Sequence, residues 1–256
     1  MAKPTPELLH LPYSPWSEKA RWALECRRVP YRSRVYQPLL GEPELRLRLK
    51  RARGLVTVPV LFTTAGALTD SLEIARWASE RGEGPDLFPR GADPEIFAWN
   101  ALGERALAAG RVLSLRRVLK DRAALGELVP RRLRPVLGRL GAVVAAQGVK
   151  RTLRKYADVL GGEDPTAVID GVLAELRRGL GDAPVDASGA PRTLLASGFS
   201  YADITMAQAL GFVSPPETGI RIGPANRAAF TDADLASRHA DLIAWRDALY
   251  RRYRAT

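Results

Sequence analysis

The sequence predicts a small α/β domain followed by an all-α domain, and three observations predict it. Strand-like and helix-like apolar patterns alternate through residues 1–82. The run GEGPDLFPRGADP (82–94), rich in Gly and Pro, then reads as a linker, assigned to 83–94. From 95 to 256 the apolar period is helical.

Residues 7–11 (ELLHL) read as a strand that Pro12 ends. Pro15 to Arg28 is helical, with Trp16, Ala20, Ala23 and Leu24 on one face. YRSRVY (31–36) alternates as a second strand, and 41–53 holds a short basic helix or irregular stretch. VTVPVLFT (56–63) is strand-like, but Pro59 cannot donate to a sheet ladder. A turn at Ala65–Gly66 leads to 67–69, and Asp70–Ser71 opens a helix through about Arg81. Beyond the linker, helices are expected at 95–125, 131–160, 165–181, 200–213 and 237–253, with irregular loops at 180–191 and 213–226.

Composition excludes several classes. No apolar run reaches the roughly 18–20 residues a bilayer span needs. The start, MAKPTPE, has no apolar segment after its first Lys, so no signal peptide is expected. A single cysteine, Cys26, permits no intrachain disulfide, and a cytoplasmic location is the default. His10 and His239 are the only histidines, and no His/Cys/Asp cluster has metal spacing, so no metal is expected. The net charge is +11, and 111–160 carries 13 Lys/Arg against 3 Asp/Glu. That excess raises a nucleic-acid or anionic-surface partner for 111–160. The chain's general preference for Arg, 33 of its 39 basic residues, weighs against reading it as a binding surface.

The stretch LPYSPWSEKARWAL (11–24) carries the sharpest chemical question. Pro15 suits the first helical position and makes Ser14 the N-cap, beside free backbone N–H groups that favour an anion. Ser14 is therefore a helix cap or an active-site hydroxyl.

Three features share an order: Ser14-Pro15-Trp16-Ser17, then Thr57-Val58-Pro59-Val60-Leu61, then Asp70-Ser71 followed by Ile74. A fourth lies in GFSYADITMA, where Ser200 and Asp203 form a capping box flanked by the Phe199–Ile204 staple. In these features the chain resembles the soluble glutathione transferases, a thioredoxin-like domain followed by a helical one, with SPWSEKAR similar to the serine or cysteine signature of that superfamily.

The resemblance implies that Ser14 faces the sulfur of glutathione, the co-substrate, with Lys19 as the basic residue that follows. Ser17 and Tyr13 are the fallback hydroxyls. It implies a cis Pro59 presenting the Val58 backbone to the peptide, with Asp70 and Ser71 holding its γ-glutamyl end. Lys50, Arg51 and Arg53 are open candidates for its glycine carboxylate. Trp16, Phe97, Trp99 and the C-terminal helix are expected to wall a pocket for a small apolar electrophile. The family also implies a homodimer. A free thiol of pKa about 8.5 needs a shift of about two units, roughly 2.7 kcal/mol, to be mostly thiolate at neutral pH. A hydrogen bond to the charged sulfur supplies roughly 1.5–3 and a helix end roughly 0.3–1 kcal/mol. A Ser14 hydroxyl at a helix start is therefore sufficient, and Cys26, deep in the helix, reads as structural.

The expected function is a transferase that activates the glutathione thiolate, with a non-catalytic binding or scaffold protein of the same fold as the alternative. The chain departs from the family at about 115–162, a basic extension of the helical domain. Its apolar set (Leu133, Val136, Leu137, Leu140, Val143, Val144) is expected to pack within the domain.

Overall fold

The structure, a computed structural model, describes residues 4–38, 41–130 and 134–254. The chain opens with β1 (Glu7–His10), α1 (Pro15–Cys26), β2 (Arg32–Val35) and α2 (Glu42–Leu49). It continues with β3 (Val60–Thr63), β4 (Gly66–Leu68) and α3 (Ser71–Ser79). The strands form one sheet in the order β2-β1-β3-β4, with β1 parallel to β2 and both other pairings antiparallel. Alternation along β1 sends neighbours to opposite faces. Leu8 packs with Ala20, Leu24, Leu61 and Ile74 beneath α1 and α3, whereas Leu9 packs with Leu45 and Val60 beneath α2. This is the thioredoxin-like arrangement, and a helical domain follows it.

That domain contains α4 (Asp93–Lys120), α5 (Arg122–Leu128), α6 (Arg134–Leu160), α7 (Pro165–Leu180) and α8 (Tyr201–Ala209). After a 3-10 turn (Leu210–Phe212) come α9 (Pro224–Phe230), α10 (Ala233–Arg238) and α11 (Ala240–Tyr253). The capping box at Ser200 and Asp203 is formed, with both staple residues in the main core. Trp22, fully buried, ties the two domains: its ring lies 4.4 Å from that of Tyr250, and its Nε1 donates to the Tyr253 carbonyl at 3.1 Å.

Three expectations are corrected. The helix read at 95–125 stops at Lys120, because Asp121 turns extended and its carboxylate accepts from the N–H groups of Ala123 and Ala124, starting α5. The loop read at 213–226 ends in α9, whose first position is Pro224 and whose N–H groups at Ala225 and Asn226 donate to the Glu127 carboxylate. That cap comes from a distant element, so no local pattern announces it. The third concerns α6. Leu140, Val143 and Val144 are exposed, while Gly141, Ala145 and Val149 are buried toward α4. The small residues are the ones that admit close approach of the two long helices. Leu133 and the side chains of Val136 and Leu137 lie outside the described residues.

Two helical glycines separate packing from propensity. A Cβ on Gly110 of α4 would sit 2.4 Å from the Phe212 Cβ, whereas one on Gly148 of α6 meets nothing within 4 Å. Gly110→Ala is expected to destabilise by about 1–3 kcal/mol through overpacking. Gly148→Ala is expected to stabilise by about 1 kcal/mol through helix propensity. Urea midpoints of the two variants check the opposite signs.

Candidate functional site

The turn between β1 and α1 is held on every side. The Ser14 N–H donates to the Leu11 carbonyl at 3.2 Å, and the Glu18 N–H to the Ser14 carbonyl at 2.9 Å. The Leu11 N–H donates to Ser17 Oγ at 3.1 Å, so the fully buried Ser17 oxygen serves the turn as an acceptor. From the loop before α9, the Arg221 N–H donates to the Pro12 carbonyl at 3.0 Å. Ser14 has the extended backbone of an N-cap, yet its side chain makes no capping hydrogen bond. Backbone bonds alone hold its position, and the hydroxyl is left for another partner. Tyr13 is partly buried, and burial holds its hydroxyl above the usual tyrosine pKa, with Arg111 opposing.

The sheet register brings the other two motifs to the same end. Leu9 pairs with Val60, and Leu61 with Leu68. One or two steps further along, His10, Pro59 and Asp70 fall in a row across β1, β3 and β4. The Val58–Pro59 bond is cis, and Val58 makes no backbone hydrogen bond to another described residue. Asp70 is the N-cap of α3: its Oδ1 accepts from the Leu72 N–H at 2.7 Å and the Glu73 N–H at 3.4 Å. Ser71 is buried, with its hydroxyl 3.4 Å from that of Tyr201 in α8. Lys50, Arg51 and Arg53 are exposed beyond α2, and no hydrogen bond ties any of their side chains to these motifs.

Lys19 points away from the turn into the domain boundary. It is fully buried and forms an ion pair with Glu104 of α4. Its ammonium also donates to Asn100 Oδ1 at 3.2 Å and Thr205 Oγ1 at 3.3 Å. Burial alone would lower its pKa, but Tyr201 and Glu104 outweigh this and hold it above the usual lysine value. The second Glu104 oxygen accepts from Trp16 Nε1 at 2.6 Å. One carboxylate therefore fixes both the first and second turns of α1 against the helical domain.

Trp16 is gathered with residues the motifs did not indicate. Its ring lies 5.6 Å from Tyr156 of α6 and 6.3 Å from Phe212, and the Arg111 guanidinium stands 5.4 Å from its centroid. Phe97 and Trp99 do not join it. Phe97 is exposed beside Arg76, and Trp99 packs over Gly179 of α7. The C-terminal helix α11 meets Trp22 through Tyr250 rather than Trp16. Glu104 and Arg111 are seven positions apart on α4, so they share a face. That spacing was the available signal, but nothing in the sequence says the face meets α1. Cys26 is half-buried, and burial pushes its thiol up to about 12, which makes it a poor nucleophile. Among the described residues, no group of three His, Cys, Asp or Glu could hold a metal ion. No helix among them is long and apolar enough to cross a membrane.

These observations agree with known proteins. Residues 13–81 match the family model described as the glutathione S-transferase N-terminal domain. No curated protein matches the chain as a relative. Among solved structures, glutathione transferase GSTFuA2 of Phanerochaete chrysosporium matches with TM-score 0.62 at 18% identity, over 99% of each chain. A glutathione S-transferase of Methylobacterium radiotolerans, in complex with glutathione sulfonate, matches with TM-score 0.57 at 20% identity, over 97% of this chain and 92% of that one. The β-etherase LigF of Sphingobium sp. strain SYK-6 matches with TM-score 0.58 at 16% identity, over 97% and 96%. Residues 13–81 are thus similar to a glutathione S-transferase N-terminal domain, and the chain shares the fold of these glutathione transferase structures.

His10, beside the turn, provides a pH test of this end of the sheet. It is buried, with Nε2 2.7 Å from Ser33 Oγ and no partner for Nδ1. Burial, with Arg21 adding, lowers its pKa from 6.5 to about 4. Between those values the unfolded chain holds a proton that the folded chain lacks, so acid favours unfolding. This contribution is complete above pH 6.5 and is lost as the pH falls toward 4, by up to about 3 kcal/mol. Urea unfolding across that range should show a shallower acid loss in His10→Asn than in the parent. Equal slopes would contradict the assignment.

Proposed function

We propose that this protein is a glutathione transferase that activates the glutathione thiolate for attack on a small, largely apolar electrophile. The observation that carries the reading is the uncommitted Ser14 hydroxyl at the start of α1, on a turn held by backbone hydrogen bonds at Leu11, Pro12 and Ser14. The sulfur would lie at the N-terminal end of α1, where the positive helix end favours negative charge and Ser14 donates its hydroxyl proton to the thiolate. Ser17 is the weaker candidate, since it is fully buried and its oxygen is held against the Leu11 N–H, and Tyr13 the next.

The Val58 N–H and carbonyl would pair with the peptide as an added strand does. The free edge of the Asp70 carboxylate and the Ser71 hydroxyl would hold the γ-glutamyl end. Residues 1–82 thus supply the glutathione site and 95–256 the electrophile side, with Trp16 at the seam. The resemblance further supports a cytoplasmic homodimer. The alternative is a non-catalytic binding protein of the same fold.

Calorimetric titration with glutathione and S-hexylglutathione tests the site, and ultraviolet titration of the bound thiol tests the chemistry. One glutathione per chain, bound less tightly than its hexyl conjugate, is expected. Ser14→Ala is expected to raise the bound thiol pKa by about 1–2 units, the equivalent of one charge-assisted hydrogen bond. Binding with an unperturbed thiol pKa in the parent would favour the binding protein. No binding of either ligand at millimolar concentration would overturn both readings.

A further inference from the structure

Arg111 is a buried cation without a counter-charge. It lies in the middle of α4, only 8% exposed, with its guanidinium 5.4, 5.0 and 5.9 Å from the ring centroids of Trp16, Phe212 and Phe230. Its Nε has no hydrogen-bond partner, and no carboxylate among the described residues pairs with it. Other buried cations of the chain have acceptors. Lys19 has Glu104, Arg21 has Glu18, and the Arg246 guanidinium has Asp247 and the Ser214 carbonyl. Arg27 also lacks a carboxylate among the described residues, but its guanidinium donates to the carbonyls of Ser79, Gly82, Gly84 and Pro85.

The ionisable groups facing Arg111 are phenols and another cation. Tyr13 and Tyr156 both interact with its charge, and neither hydroxyl has a partner among the described residues. Lys155, one residue before Tyr156, is held below the usual lysine pKa by partial burial and then by repulsion from Arg111. Glu104, whose charge reaches Tyr156, is already committed to Lys19 and Trp16. A desolvated guanidinium with unfilled donors is costly, and the enclosing rings cannot accept its hydrogen bonds in the plane. A planar carboxylate on an aromatic body meets both demands: it accepts from the guanidinium while its ring packs against the outer side of the Trp16, Tyr156 and Phe212 cluster.

We propose that Arg111, with the Tyr13 and Tyr156 hydroxyls, forms an anion subsite beside Trp16 that selects aromatic carboxylates. Calling that molecule the acceptor electrophile rests on the transferase reading, but the anion subsite does not. The electrophile is thus narrowed from apolar to an aromatic body carrying one negative charge.

The test is calorimetric titration of the glutathione-free protein with cinnamate and, separately, methyl cinnamate, which differ in the charge. The parent is expected to bind the acid at least tenfold more tightly than the ester. Arg111→Met is expected to abolish that preference, and Arg111→Lys to retain part of it. Equal affinities in the parent, no binding of either probe, or a preference that survives in Arg111→Met would overturn the proposal. Should Arg111→Met not fold, Tyr156→Phe and Lys155→Gln carry the test: a preference reduced threefold or more in either supports it, and an unchanged preference in both overturns it. Glutathione is titrated in parallel. A cinnamate preference without glutathione binding would overturn the transferase reading and leave the subsite standing.

Discussion

The ion pair between Lys19 and Glu104 is the contact on which the arrangement of the two domains around Trp16 depends. Lys19 is completely buried, so its charge is tolerable only with an opposite charge and filled hydrogen bonds around it. Glu104 supplies the charge, and Asn100 and Thr205 supply oxygens from α4 and α8. Because the same carboxylate accepts from Trp16, the start of α1 is set by the helical domain and not by the sheet alone. The loop before α9 completes the clamp, with Arg221 bonded to Pro12 and Arg21 donating to the Gly219 carbonyl at 2.7 Å. The turn that carries Ser14 is thereby rigid while its hydroxyl stays unspent, the combination a positioned donor needs.

Buried charge distinguishes structure from candidate chemistry in this chain. Glu18, fully buried, receives Arg21 from its own helix and Arg254 from just beyond α11, so the end of α11 is tied to α1. Those groups answer one another and need no ligand. Arg111 is answered only by aromatic faces and phenols, in the part of the molecule where the two domains and α6 meet. The basic bias of the sequence hides this difference, since exposed arginines outnumber the few whose burial gives them consequence.

Much of the fold was legible because it rests on local rules. The β1 alternation, Pro15 at a first helical position and the Ser200–Asp203 box each declare their structure within a few residues. The cis Pro59 was legible through the order of the motifs around it. Illegible features were those set by distant partners. Pro224 stands at a first helical position as Pro15 does, but Gly223 before it offers no capping side chain and the cap, Glu127, is distant. The apolar residues Leu140, Val143 and Val144 gave the wrong face of α6 because small residues permit the closer approach. Phe97 and Trp99 looked like pocket walls by type, yet helix rotation turns one toward Arg76 and the other into α7. Arg111 and Tyr156 had no motif, because their meeting with Trp16 depends on how α4 and α6 cross α1.

The most direct measurement of the central coupling is a double-mutant cycle on Lys19→Met and Glu104→Gln, read by urea unfolding. Glutamine keeps an acceptor for Trp16 but removes the charge. Glu104→Gln should cost about 2 kcal/mol in the parent, below the cost typical of a fully buried pair because the Glu104 side chain is 40% exposed. In the Lys19→Met background, where no buried ammonium is left unpaired, the same change should cost little. An equal cost in both backgrounds would contradict the account, because Glu104 would then act independently of the lysine it is held to anchor.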